Sequence, residues 1–536
     1  MDTLEQRWLP VHAQLAEQAS SRPDAPFLLA DGGISYASAA AWVAHISTTH
    51  LQRFSGQRVA LCLDKGNAYA LSILAALYAN CSYVPIDGAQ PAQRVAMILA
   101  DAAPTVLICD HSHACSLIEL GLPDSVVLLL VHSELPLPES AAVPAGVEVH
   151  HLAHHLAHPS VQPATGESLA LPDTSACQPG DLAALLYTSG STGSPKGVQL
   201  SHLNLSNFVQ WAVAELRLTP SDRLLNLASF NFDLSTFDLF GSLLAGASLY
   251  VSHERESAHV SRVGELLREQ AITTIYSVPS MFALLNRSAA WPALDAQALR
   301  HLVFAGEVMP KPQLKLMAKA VSPACQLYNF YGPTETNVCL FHRVSAEDLA
   351  CDEPLPIGQP IDGATVWLVD EHGHYRADEG AVGEVWVAGR CVTPGYWQRQ
   401  DPRNALNHQR GMHATGDYGE WQGGRLLYRG RIDRMLKLSG YRVELGEIES
   451  ILARHPQLQE VAVIAESVNP PKLVAHYVSR DPEQRLGALE LKAFCAAHLP
   501  KYMVPHVLIQ RTALPKNANG KIDYRALREG QEPVTA

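Results

Sequence analysis

The chain has 536 residues, of which 47% are hydrophobic and 17% are charged, and its formal net charge is −13. This composition is ordinary for a globular protein of several domains, and the acidic balance argues against nonspecific binding to nucleic acid, which requires a basic surface. The N-terminus lacks a basic segment followed by an apolar one, and the ten cysteines include no Cys-x-x-Cys pair, so we expect a cytoplasmic protein with reduced thiols and no signal peptide.

The first part of the chain alternates apolar runs with a helix-like segment. A strand-like run at residues 59–63 precedes a helix-like stretch at 68–78, and further strand-like runs follow at 83–86, 106–109 and 126–131. These runs are far too short to cross a bilayer, so no membrane partner is expected. Strands that alternate with helices predict an α/β fold with parallel sheets.

A glycine- and hydroxyl-rich segment, residues 186–198, follows the apolar run 182–186 and reads Leu-Tyr-Thr-Ser-Gly-Ser-Thr-Gly-Ser-Pro-Lys-Gly-Val. Glycine lets backbone N–H groups approach an anion closely, and hydroxyl and ammonium groups add further donors. The spacing differs from that of the P-loop nucleotide-binding motif, and a floppy surface loop is the alternative interpretation. The segment predicts a polyphosphate-binding loop whose donors are Thr188, Ser189, Gly190, Ser191, Thr192 and Lys196.

The α/β alternation returns at residues 222–330, and the pattern changes after about residue 357. Short strand-like runs separated by turn residues, such as 365–369 and 384–387, predict a β-rich subdomain. Beyond residue 433, two helix-like and two strand-like segments predict a small α+β domain of roughly 100 residues; they lie at 447–454, 461–464, 473–477 and 489–498.

Nine motifs in order resemble those of the adenylate-forming enzymes, which include acyl-CoA synthetases, luciferases and the amino-acid adenylation domains of nonribosomal peptide synthetases. Two of these motifs are Asn329–Glu335 and Pro515–Asp523, and within them Tyr331-Gly-Pro-Thr-Glu335 and Asn519-Gly-Lys-Ile-Asp523 match the adenylation domains best. The other motifs are Tyr83–Asp87, residues 186–198, Asn231–Ser235, Gly383-Glu384 with Gly395-Tyr396, Thr415–Asp417, Gly430–Asp433 and Lys437–Glu447.

This resemblance implies a large N-terminal domain, residues 1–432, which binds ATP and an amino acid and contains two α/β subdomains and the β-rich one. It also implies a small mobile C-terminal domain, residues 433–536, which turns about a hinge at Asp433 and carries the catalytic lysine, Lys521. In such enzymes a carboxylate attacks the α-phosphate of ATP, so two anions must be held together and their charge neutralised.

The resemblance also assigns roles around the nucleotide. Lys521, Thr188 and Glu335 are the predicted catalytic residues, and Glu335 resembles a ligand of Mg²⁺, a hard cation that prefers oxygen. Tyr331 resembles the ring that stacks on adenine, and Asp417 the carboxylate that binds the ribose hydroxyls. Besides the loop donors, the predicted ATP-binding set comprises Tyr331, Thr334, Asp417 and Arg431.

The substrate pocket is matched to the family in the same way. Asp233 resembles the aspartate that binds the substrate α-ammonium group, and the rest of the lining is uncharged and partly aromatic. The predicted lining is Asp233, Leu234, Phe237, Tyr276, Val303, Ala305, Phe330, Val338 and Cys339. This set is similar to that of proline-activating ligases that feed pyrrole natural products, so we expect a small apolar amino acid, L-proline before others.

The partner implied by the resemblance is a separate peptidyl carrier protein with a phosphopantetheine arm, because no carrier segment follows Asp523. An acyl-CoA ligase for another small carboxylic acid would share the fold. Such an acid has no ammonium group, however, and would leave the buried Asp233 carboxylate without a partner of opposite charge. A catalytically inactive relative is a further alternative. It predicts loss of Lys521, Asp417 or Glu335, and all three are present.

Overall fold

The computed structural model describes residues 8–133, 135–138, 141–152, 170–190, 194–288, 298–432, 434–466, 471–481, 486–516 and 522–529. The chain divides into two compact units. The first comprises residues 1–88, 99–186 and 197–432, and the second comprises residues 89–98, 187–196 and 433–536. Among the helices of these ranges, none combines the length and the apolar character needed to cross a membrane.

Most of the secondary structure belongs to the part of the chain before residue 433. Its strands are β1 (Pro26–Leu28), β2 (Ile34–Ser35), β3 (Arg58–Cys62), β4 (Ser82–Pro85), β5 (Val106–Asp110), β6 (Leu128–His132), β7 (Glu148–His151), β8 (Leu182–Thr188), β9 (Lys196–Ser201), β10 (Arg223–Asn226), β11 (Ser248–Val251), β12 (Thr274–Ser277), β13 (His301–Ala305), β14 (Gln326–Tyr331), β15 (Leu340–Arg343), β16 (Gln359–Pro360), β17 (Ala364–Val369), β18 (Tyr375–Arg376), β19 (Val382–Gly389), β20 (Met412–Gln422) and β21 (Arg425–Arg431). Its helices are α1 (Gln14–Ser21), α2 (Tyr36–Ile46), α3 (Asn67–Tyr78), α4 (Ala92–Ala102), α5 (His111–Leu120), α6 (His202–Glu215), α7 (Leu234–Ala245), α8 (Glu254–Ser257), α9 (Val260–Glu269), α10 (Pro279–Arg287), α11 (Lys311–Ala320), α12 (Ala346–Ala350) and α13 (Ala405–His408).

Three sheets form the first unit. A seven-stranded sheet has the order β7-β6-β5-β3-β4-β8-β9, and a nine-stranded sheet has the order β16-β15-β14-β13-β12-β10-β11-β1-β2. The pairs from β3 to β7 and from β10 to β14 are parallel, which confirms the predicted α/β fold. The third sheet, β18-β17-β19-β20-β21, pairs antiparallel and confirms the β-rich subdomain.

The nine-stranded sheet is buried on both faces, and successive apolar residues of one strand pack into different hydrophobic clusters. Leu224 of β10 belongs to a hydrophobic cluster shared with the seven-stranded sheet and helices α2, α3, α6 and α7. The next residue, Leu225, belongs to a second cluster with α9, α10 and α11. Successive strand residues point to opposite faces, so a continuous apolar run is the pattern expected of a sheet covered on both sides.

The second unit contains the C-terminal α+β structure. Its elements after residue 433 are β22 (Met435–Leu438), β23 (Tyr441–Glu444), α14 (Leu445–Leu452), β24 (Leu458–Glu466), β25 (Lys472–Ser479), α15 (Ala488–His498), β26 (Val507–Gln510) and α16 (Tyr524–Arg528). Strands β22 and β23 form a hairpin, and β24, β25 and β26 form a three-stranded sheet. Apolar residues of α14, α15 and this sheet pack into one cluster.

Two histidines are buried in the first unit near its N-terminus. His12 lies in the 3₁₀ turn Val11–Ala13, is 0% exposed, and has its ring 5.4 Å from the ring of His202, which begins α6 and is 2% exposed. Burial and the neighbouring His202 hold the pKa of His12 well below its usual value. Burial also lowers the pKa of His202 to about 4, although Asp181 opposes this shift.

We expect these histidines to make the protein acid-sensitive. The unfolded chain takes up a proton at each histidine near pH 6.5, whereas the folded protein does not, so stability is lost as pH falls from 6.5 towards 4. For His202 the loss is about 2 kcal/mol by pH 5. Thermal unfolding followed between pH 7.5 and 5 should show a shallower decline in midpoint for His202→Leu than for the wild type. His374→Leu, which removes an exposed histidine, is the control and should leave the slope unchanged; equal slopes in all three proteins would contradict the assignment.

Candidate active site

The predicted pocket residues come from three neighbouring strands, the segment before a fourth strand, and the start of one helix. Tyr276 lies on β12, Val303 and Ala305 on β13, and Phe330 on β14, while Val338 and Cys339 immediately precede β15. Adjacent strands pair Tyr276 with Val303 and Ala305 with Phe330. Helix α7 contributes the remaining two apolar residues, Leu234 and Phe237. The structure brings seven apolar residues of the predicted lining into one hydrophobic cluster, namely Leu234, Phe237, Tyr276, Val303, Ala305, Phe330 and Val338. It does not bring Cys339 into this cluster, because Cys339 packs with apolar residues of the β-rich subdomain.

Within this lining, the ring of Tyr276 contacts two other aromatic rings directly. The ring of Tyr276 lies 5.7 Å from that of Phe237 and 5.7 Å from that of Phe330, in edge-to-face arrangements. All three residues are buried, and the pKa of Tyr276 is raised far above its usual value by burial and by the negative charges of Asp233 and Asp238. Asp233 occupies the N-cap position of α7. A carboxylate therefore stands beside an aromatic, otherwise uncharged set of side chains.

A second cluster surrounds Asp417, in the middle of β20. Its Oδ2 accepts a hydrogen bond from the Tyr331 hydroxyl at 2.5 Å, and its Oδ1 lies 2.6 Å from Nη1 of Arg431. Arg431 ends β21 and is the direct cross-strand partner of Asp417. Burial and the neighbouring carboxylate raise the pKa of Tyr331. Three of the four ATP-binding residues predicted outside the glycine-rich loop thus meet in one hydrogen-bonded group; the fourth, Thr334, lies in the turn that follows β14.

Glu335 lies in the same turn and is 1% exposed. Its Oε1 accepts a hydrogen bond from the Tyr396 hydroxyl, and its backbone carbonyl accepts one from the N–H of Thr393 at 2.8 Å. The turn needs a glycine at 332, because a Cβ there would stand 1.6 Å from the carbonyl oxygen of Asn337. Tyr396 thus holds the Glu335 carboxylate and Thr393 holds its backbone, and a buried carboxylate oxygen is the type of ligand that suits a hard cation such as Mg²⁺.

Residues 187–190 and 194–196 of the glycine-rich segment belong to the second unit. The Ser189 hydroxyl donates to the carbonyl of Arg442 at 2.7 Å, and the N–H of Gly190 donates to Oε2 of Glu447 at 3.1 Å. Thr188 ends β8, and its buried hydroxyl has no hydrogen-bond partner within the described ranges. A Cβ at Gly190 would meet the carbonyl oxygen of Ser194 at 2.1 Å, so this close approach requires glycine.

Four predicted residues lie outside the described ranges, namely Ser191, Thr192, Asp433 and Lys521. Lys196 is described and begins β9.

Sequence reasoning missed several residues that hold this site. Tyr396 belongs to a quoted motif, but nothing in its local pattern indicated that its hydroxyl reaches Glu335. Glu384 accepts hydrogen bonds from the N–H of Gly416 at 2.9 Å and from Nε1 of Trp386 at 3.2 Å, and it also pairs with Arg403. It therefore fixes the backbone immediately before Asp417. The Gly383-Glu384 motif indicated that Glu384 is important, but the sequence did not indicate that Gly416, Trp386 and Arg403 are its partners.

Two family models match the chain. The model described as AMP-binding enzyme matches residues 15–397, and the model described as AMP-binding enzyme C-terminal domain matches residues 447–521. A Streptomyces coelicolor protein named L-proline--[L-prolyl-carrier protein] ligase is 48% identical over 475 residues, which are 88% of this chain and 87% of that protein. A Pseudomonas fluorescens protein of the same name is 36% identical over 88% of this chain and 89% of its own.

Among solved structures, the fold is similar to that of the Vibrio cholerae adenylation domain AlmE in complex with glycyl-adenosine-5′-phosphate. The TM-score is 0.81 at 23% identity, and the match covers 99% of each chain. A likeness at this level of identity shows the fold, with its large N-terminal and small C-terminal parts.

Proposed function

Because this chain belongs to the family of AMP-binding enzymes, we propose that it activates L-proline as prolyl-AMP and passes the prolyl group to the phosphopantetheine thiol of a peptidyl carrier protein. The observation that carries this proposal is the 48% identity, over most of both chains, with the Streptomyces coelicolor proline ligase. The buried aromatic side chains of Phe237, Tyr276 and Phe330 near Asp233 support the same substrate.

In the first step, a carboxylate oxygen of proline attacks the α-phosphate of ATP, and pyrophosphate leaves. Asp233 would bind the secondary ammonium of proline, and the rings of Phe237, Tyr276 and Phe330 would enclose its three methylene groups. A charged or long polar side chain would lose its hydration against this apolar lining without gaining a partner. The carboxylate therefore orients the substrate, and the apolar walls limit its size.

The nucleotide would be held by the cluster around Asp417. We assign its adenine to Tyr331, its ribose hydroxyls to Asp417, its ribose and phosphate region to Arg431, and its phosphates to Thr188, Ser189, Gly190 and Lys196, with Ser191 and Thr192. Thr334 completes the proposed ATP-binding set. Glu335 would hold Mg²⁺, which when bound neutralises phosphate charge. The position of Glu335 is set by the Tyr396 hydroxyl and the Thr393 N–H, so its carboxylate needs little rearrangement to act as a ligand.

In the second step, the carrier thiol attacks the carbonyl carbon of prolyl-AMP, and AMP leaves. We propose that residues 1–432 bind the two substrates of the first step and that residues 433–536 act as a mobile domain. This domain would turn at Asp433 and would supply Lys521 for adenylate formation.

The proposal is tested by pyrophosphate exchange measured with each of the twenty common amino acids. L-Proline should give the fastest exchange, and incubation with a phosphopantetheine-bearing carrier protein should add the mass of one prolyl group to the carrier. Coenzyme A in place of the carrier is the matched control and should be a poor acceptor. If no amino acid stimulates exchange by the pure protein, the proposal fails.

We also expect a specific order of selectivity. L-Proline should be preferred to alanine, valine and pipecolate, but the ring homologue should still react to some extent, because one methylene in an apolar pocket is worth only about 1–3 kcal/mol. The measurement is kcat/KM for each amino acid in the exchange assay. A preference for a charged or long polar side chain would contradict the pocket assignment.

A further inference from the structure

Helix α7, which carries two of the proposed pocket residues, also carries one member of a buried cluster of polar side chains that no step of the proposed reaction uses. Asp238, on α7, is 1% exposed, and Lys65, which follows β3, is 5% exposed. Between them stands Asn226, the last residue of β10, which is also buried. Burial of charged groups is costly unless they are paired and hydrogen-bonded. The presence of this group therefore needs an explanation.

One asparagine links the two charged side chains. The Asn226 side-chain amide donates to Oδ2 of Asp238 at 2.9 Å, while its backbone carbonyl accepts from Nζ of Lys65 at 3.0 Å. Ser252, which follows β11, accepts a second hydrogen bond from Nζ at 3.2 Å and itself donates to the same carbonyl at 2.9 Å. The network thus joins the ends of β3, β10 and β11 to α7.

In this network, the charged form of Lys65 and the charged form of Asp238 stabilise each other. Burial lowers the pKa of Lys65, and the Asp238 carboxylate acts in the opposite direction, with smaller effects from Glu254 and Glu256. Burial raises the pKa of Asp238, while the Asn226 hydrogen bond and the charge of Lys65 act to lower it. Removal of either side chain would leave its partner without a compensating charge.

The network acts on the turn of α7 that carries pocket residues. Leu234 lies four residues before Asp238, on the same side of the helix, and Phe237 is its immediate neighbour. A helix rotates by about 100° per residue, so a fixed Asp238 fixes the direction in which Leu234 and Phe237 point. Asp238 is also close enough to Tyr276 to influence its pKa.

We propose that Lys65, Asn226 and Asp238 are positioning residues for amino-acid selection, which set the rotation of α7 and thereby the walls of the pocket. This inference rests on the proposed function, because it concerns the amino acid that the pocket accepts. It assigns a specificity role to side chains that contact neither substrate.

The test compares Asp238→Asn with Asp222→Asn in the pyrophosphate exchange assay. Asp222 is an equally buried carboxylate immediately before β10, at the end opposite Asn226, where it accepts hydrogen bonds from Thr273 and Arg300. We expect Asp238→Asn to raise the KM for L-proline by at least about tenfold, since small displacements of positioned groups have large effects. The KM for ATP should change less than about twofold. Asp222→Asn should leave both values near those of the wild type.

A double substitution separates positioning from loss of stability. Lys65→Met should raise the KM for L-proline as Asp238→Asn does. The double variant Lys65→Met, Asp238→Asn should have a lower KM than the product of the two single effects predicts, because neither residue then leaves an uncompensated buried charge. If Asp238→Asn does not fold, Ser252→Ala is the substitute variant, because it removes one hydrogen-bond partner of Lys65. It should raise the KM for L-proline by about two- to threefold and leave the KM for ATP unchanged.

The possible outcomes distinguish the two proposals. A wild-type protein that exchanges pyrophosphate with no amino acid would overturn both the proposed function and this inference. The positioning role alone would be overturned in either of two cases, provided that the wild type responds to L-proline. In the first, Asp238→Asn and Asp222→Asn raise the KM for L-proline equally. In the second, Asp238→Asn raises the KM for ATP as much as the KM for L-proline. A selective rise at 238, partly reversed in the double variant, supports the positioning role.

Discussion

Replacing Asp233 by asparagine is expected to reduce kcat/KM for L-proline by about 10²- to 10⁴-fold. The substitution preserves size and shape but removes the charge that we assign to the α-ammonium group, and loss of one member of a buried charge pair costs roughly 3–5 kcal/mol. Asp233 stands at the start of α7, beside the ring of Tyr276, and the rest of the proposed lining is uncharged. The asparagine amide cannot replace the missing charge.

The measurement is pyrophosphate exchange over a range of L-proline concentrations, together with direct binding of ATP by calorimetry. ATP affinity should be nearly unchanged, because the nucleotide is assigned to the separate cluster around Asp417. Asp348→Asn is the matched control, since it also removes a buried carboxylate, one that accepts hydrogen bonds from Ser345 and pairs with His342. If Asp233→Asn has wild-type KM and kcat, Asp233 does not contact the substrate.

Replacing Lys521 by alanine is expected to slow adenylate formation by at least about 10²-fold. As negative charge develops on the α-phosphate in the transition state, a preorganised cation stabilises it more than it stabilises the bound substrates. The second step, thiol attack on the finished adenylate, forms no new charge on phosphate that this lysine is assigned to stabilise. Transfer from synthetic prolyl-AMP to the carrier should therefore be nearly unaffected.

The two steps can be measured separately on the same protein. Adenylate formation is followed by pyrophosphate exchange, and transfer is followed by the mass of the carrier after addition of prolyl-AMP. Lys516→Ala is the control, since Lys516 is a partly exposed lysine of the same C-terminal segment that pairs with Glu460. Equal loss of both steps in Lys521→Ala would show that the lysine serves more than the phosphate chemistry.

Much of the fold could be predicted because apolar runs determine it locally. The helix-like stretch at 68–78 and the strand-like run at 365–369 each agree with the observed α3 and β17 to within one residue at either end. Helix α3 is buried on nearly all sides, so it reads as a continuous apolar stretch whose length, rather than its periodicity, marks it as a helix. Parallel pairing then follows from the alternation of strands and helices.

The contacts that position the candidate site could not be predicted in the same way. Thr415–Asp417 would commonly form a turn when read alone, yet these residues lie inside the 11-residue strand β20. The pairing of Asp417 with Arg431 depends on a register shift between Tyr418 and Gly419, and β19 and β20 have another shift near Trp386. Irregularities of this kind change which face a side chain occupies. Local sequence patterns do not specify them, and the contact of Tyr396 with Glu335 spans 61 positions.

The direct contacts among Phe237, Tyr276 and Phe330 have a consequence for anyone who wishes to redesign this enzyme for larger building blocks. The ring of Tyr276 packs against those of Phe237 and Phe330, so replacing one of the three by a smaller side chain removes a packing contact of its neighbour. The vacated space would be partly filled by the remaining rings, because cores relax when large side chains are shortened. Neighbouring substitutions are also energetically coupled. New substrates should therefore be obtained more readily from libraries that vary these three positions together than from libraries that vary them singly.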